Sequence, residues 1–161
     1  MRGTVIDIFT ILMFALVFGL TVITSYFLLS EFKLAVNQTD APINITYLEK
    51  GEAALFVFNQ GFVFIIFGWI VVSIILAFLI RSTPAFFLTS LLLFIILVFI
   101  SPMFSNLFDA YVTQETLITT ANEFNFIILV MQNLPIITVV AGMFLIIVIY
   151  AKTRGISDDV Q

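Results

Sequence analysis

Two amide pairs, Asn59-Gln60 and Gln132-Asn133, are the strongest hydrogen-bonding side chains, Ser and Thr apart, in the long apolar stretches that hold them. An amide offers both donor and acceptor. In a bilayer such groups avoid lipid and bond across helices, at about 0.6–2 kcal/mol per bond. Two uses fit: an interhelical clamp, or a polar ring lining a pore once several copies assemble. Other chemistry is scarce. The chain has no His and no Cys, so zinc sites, imidazole bases, thiol nucleophiles, His-ligated haem and disulfides are excluded by composition. No charge stands in mid-span, where proton relays and coupled carriers place theirs. Asp7 comes nearest, and beside Arg2 at a helix start it reads as a terminal charge. No intramembrane-protease pattern is present. No catalytic, cofactor-binding or metal-ligating residue is expected, and the chain is read as non-enzymatic.

The elements that hold the amides follow from composition. Of 161 residues, 62% are apolar and 10% charged, against roughly 45–50% and 25% in soluble domains. Charge-free stretches run over Ile8–Ser30, Ala53–Ile80, Ser82–Phe108 and Phe124–Ala151. Each exceeds the ~20 apolar residues needed to cross the hydrocarbon core, and none is long enough to cross twice. The fold class is therefore an all-α integral membrane four-helix bundle in a single domain. Its spans lie at about 6–30, 54–80, 84–103 and 126–151, with outer loops 31–53 and 104–125 and an inner turn 81–83. The first run is too long for a typical signal-peptide core, and no small-residue cleavage pattern follows it, so it is read as a retained span.

The few charges set the orientation. Arg2, Arg81, Lys152 and Arg154 fall on one side with Asp7, Asp158 and Asp159, giving +1. Lys33 and Lys50 fall on the other with Glu31, Asp40, Glu49, Glu52, Asp109, Glu115 and Glu123, giving −5. The positive-inside rule then places both termini on the cytoplasmic or inner side, with the acidic loops outside. No polybasic run points to nucleic acid. The expected partners are the lipid bilayer, further copies of the chain, or other membrane or capsid subunits.

The two hairpins share an order of features. Thr46-Tyr47-Leu48-Glu49 and Thr120-Ala121-Asn122-Glu123 have capping-box spacing. Each is followed by an amide pair, a long apolar run and a basic end, offset by 73 or 74 residues. This order predicts a parallel tandem repeat. A helix from Thr46 to Arg81 would be about 54 Å long, some 20 Å more than the hydrocarbon. Helices 2 and 4 are thus expected to project into a small outer cap, packed by segments 32–36 and 103–108.

Within the spans, Pro135 should kink the fourth helix, and Ser101-Pro102 should bend or end the third. Pro84 suits a helix first turn, capped by Ser82 or Thr83. Small residues mark expected packing stripes: Ala15 and Gly19, then Ala54, Gly61 and Gly68, then Thr138 and Gly142. Asn37 and Asn44 stand in glycosylation acceptor patterns, both in the first outer loop. Tyr26 and Tyr150 are placed as interfacial anchors, and Trp69 as an inward-packing residue.

The start Met1-Arg2-Gly3-Thr4-Val5-Ile6-Asp7-Ile8-Phe9, the four-span layout, the 20 Phe and the amide–Pro helix of the second hairpin resemble a group of small membrane proteins. These are phenylalanine-rich four-span proteins encoded in virus-like gene clusters, including those of membrane-containing viruses. The resemblance implies a place in a virion membrane or its assembly and carries over no catalytic residue. The function expected is a structural or assembly subunit of a larger membrane complex. The alternative is an oligomeric, holin-like pore lined by the amide pairs.

Overall fold

A computed structural model describes residues 5–38, 45–79 and 83–158, with backbone alone for 154–158. Arg2, Asp40, Asn44, Arg81, Ser82 and Asp159 lie outside the described residues, as do the side chains of Arg154 and Asp158. The elements are α1 (Val5–Gln38), α2 (Thr46–Leu79), α3 (Pro84–Val112), α4 (Ile118–Ala121), α5 (Asn125–Gln132) and α6 (Leu134–Asp158). No strand occurs among the described residues. Four helices are long and apolar enough to cross a membrane: α1, α2, α3 and Leu134–Thr153 of α6. The protein is an all-α, four-span integral membrane bundle.

The helix ends follow local chemistry. Thr83 caps α3, its hydroxyl accepting the Phe86 N–H at 3.3 Å, and Pro84 fills the first turn where no backbone donor is missed. α2 begins at Thr46, but the Ile45 carbonyl closes its first turn, accepting from Leu48 and Glu49 at 2.9 and 3.1 Å. Ile45 rather than Thr46 therefore holds the cap position. The second proposed capping box does not form: Thr120 sits inside α4, and α5 starts after Phe124 with no capping side chain of its own.

Two elements run further than the charge pattern predicts. α1 continues past Ser30 to Gln38, and α3 passes through Pro102 to Val112. The outer connections are correspondingly shorter than 31–53 and 104–125. Charges end a hydrophobic run without ending helical hydrogen bonding, so they locate the membrane edge and not the helix end. Pro102 leaves the Val98 carbonyl without its usual donor, and the buried Ser101 hydroxyl supplies one at 3.4 Å. Segments 32–36 and 103–108 are thus helix extensions. Val36 and Phe108 are buried and Phe32 is exposed. Asn37 is exposed on the last turn of α1 and not in a loop.

α1 is the central helix. Its inward stripe of Ile8, Ile11, Leu12, Ala15, Leu16, Gly19, Val22 and Ile23 meets Phe62 and Ile66 of α2, Leu97 and Phe108 of α3, and Ile127 and Met131 of α5. Lipid matches the apolar side chains chemically, so close packing supplies the preference for protein contact. Aromatic rings do much of it: Phe18 stacks on Phe62 at 5.6 Å, and Phe14 meets Trp69 at 5.3 Å. Gly19 lets α5 approach, since an added Cβ would lie 3.1 Å from Ile127 Cγ2 and 3.4 Å from Phe108. Gly142 does the same for α3 and α6, where a Cβ would overlap the Phe94 ring. Ala15 and Thr138 are buried as well. The α2 stripe is different. Ala54 is exposed, and a Cβ at Gly61 or Gly68 would meet nothing within 4 Å. Those three residues face away from the bundle.

Candidate functional site

The polar side chains gather around α5. This helix is the first part of the fourth span, separated from α6 at Asn133. The break has a chemical cause: Pro135 cannot donate to the Met131 carbonyl. Asn133 closes the end of α5 twice, with its backbone N–H to Leu129 O at 3.2 Å and its side-chain Nδ2 to the same carbonyl at 2.8 Å.

Each end of α5 is held by a neighbouring span. A helix start leaves backbone N–H groups without partners, and α5 has no cap of its own. Asn59, only 2% exposed on α2, directs its Oδ1 at the N–H of Ile127, 3.1 Å away. It caps a helix that lies 68 residues further along the chain. At the other end, Ser105 of α3 donates to the Gln132 carbonyl, and Gln132 Nε2 donates to Asp109 Oδ1, both at 3.4 Å. Between these holds, Ile127, Val130 and Met131 point inward and are fully or almost fully buried.

The two amide pairs therefore part company within one chain. Asn59 is consumed as a cap, Gln132 reaches α3, Asn133 closes its own helix, and Gln60 is exposed on α2. The four side chains occupy separate environments and do not line one shared surface of the monomer. Pro135 lies immediately beyond the break, partly buried.

A second polar group ties the helix extensions at the acidic end. Lys33 of α1 pairs with Glu52 at 2.9 Å and with Glu49 at 3.9 Å, both on α2. Thr24 and the Tyr111 hydroxyl lie 2.7 Å apart and join α1 to α3. The Tyr26 ring packs edge-on against Phe124 at 5.0 Å and lines one cleft with Glu123. Tyr26 thus faces the interior of the acidic end. Tyr150 is half-exposed against Phe87 at the opposite end. An open cleft of about 410 Å³ lies between Tyr26, Glu49, Glu52, Phe56 and Glu123. No group of three or more metal-ligating side chains occurs among the described residues.

Sequence reasoning singled out Asn59, Gln132, Asn133 and Pro135 and missed Ser105 and Asp109. In the sequence Asp109 reads only as an outer-loop charge. Its four-residue spacing from Ser105 signals one helix face once α3 is known to continue through Pro102. Comparison with known protein families, with curated proteins and with solved structures finds no match for this chain.

Proposed function

We propose that this chain is a non-enzymatic structural or assembly subunit of a larger membrane complex, built by self-association or by joining other membrane or capsid subunits. The observation that carries the reading is the outward face of α2. Ala54, Gly61 and Gly68 recur every seven residues there; Ala54 is exposed, and a Cβ at either glycine would meet nothing within 4 Å among the described residues. Gly inside a helix costs roughly 0.5–1 kcal/mol relative to Ala. A close helix–helix contact with a second chain would offset that cost. Gln60, exposed on the same helix, adds a self-complementary amide.

The setting is a membrane whose inner side meets the basic end and both termini, with the acidic end outside. The resemblance to proteins of virus-like gene clusters makes a virion membrane the proposed instance. The tests are sedimentation and crosslinking of the protein purified in mild detergent. An oligomer or a copurifying membrane subunit is expected, weakened by Gly61→Ile with Gly68→Ile. A strictly monomeric species with no copurifying partner would overturn the reading.

A further inference from the structure

We draw no further inference here: the strongest candidate, the open cleft at the acidic end between Tyr26, Glu49, Glu52, Phe56 and Glu123, rests on an acidic cluster in which Glu49 and Glu52 already pair with Lys33, and nothing in the structure shows what occupies it.

Discussion

Asn59 on the second span caps the helix that begins at Asn125 on the fourth, its side-chain oxygen 3.1 Å from the Ile127 N–H. One side chain therefore joins the two hairpins and also ends the exposure of a helix start. The unpaired N–H groups of a helix start need an acceptor, and here a neighbouring helix supplies it. Phe124, the residue at the cap position, cannot supply it.

Asn59→Leu should lower stability by about 1–3 kcal/mol, because it leaves the buried Ile127 N–H unpaired. Gln60→Leu, at an exposed neighbouring position, should change stability by less than about 0.5 kcal/mol. Unfolding in mixed micelles, followed by Trp69 fluorescence, compares the two. Equal effects would show that the Ile127 contact contributes nothing.

Gly142→Ala should cost about 1–3 kcal/mol, because its methyl group overlaps the Phe94 ring and must push α3 from α6. Gly68→Ala should leave the fold unchanged or slightly more stable, since nothing lies within 4 Å of its added carbon. The same unfolding assay separates them, and a destabilising Gly68→Ala would place an unseen neighbour against that face.

Pro135→Ala restores a donor for the Met131 carbonyl and should let α5 and α6 join into one straighter helix. The chain has no Cys, so spin labels on cysteines introduced at Phe126 and Tyr150 report the change without background. The distance between them should lengthen. Pro102→Ala should alter the course of α3 far less, because the Ser101 hydroxyl already serves the Val98 carbonyl.

Reconstituted protein should pass no ions above protein-free vesicles at any potential, because Asn59 and Asn133 are committed to backbone groups. A conductance lost on replacing Asn59, Gln60, Gln132 and Asn133 with Leu would favour the pore instead.

The four spans were legible because hydrocarbon thickness sets a length that composition must meet, and the break near Pro135 because proline removes a backbone donor, although Pro102 shows that a neighbouring hydroxyl can replace it. The full extents of α1 and α3 were not, since hydropathy reports the solvent around a helix and not its hydrogen bonds. The outward turn of Ala54, Gly61 and Gly68 was hidden for another reason. α2 is apolar on every side, and lipid and protein select similar side chains. The partners of the amides depended on three-dimensional placement: Asn59 and Gln132 look equivalent in the sequence, and only one is buried.

The extension of α1 and α2 beyond the bilayer has a mechanical consequence. Each is an unbroken helix of 34 residues, about 51 Å long, and Lys33 with Glu52 locks the pair where they leave the hydrocarbon. Such a hairpin is a lever. A tilt of about 10°, within the range by which helices adapt to bilayer thickness, would swing its acidic tip by ~9 Å. A subunit docked on that tip would be displaced by changes in membrane thickness.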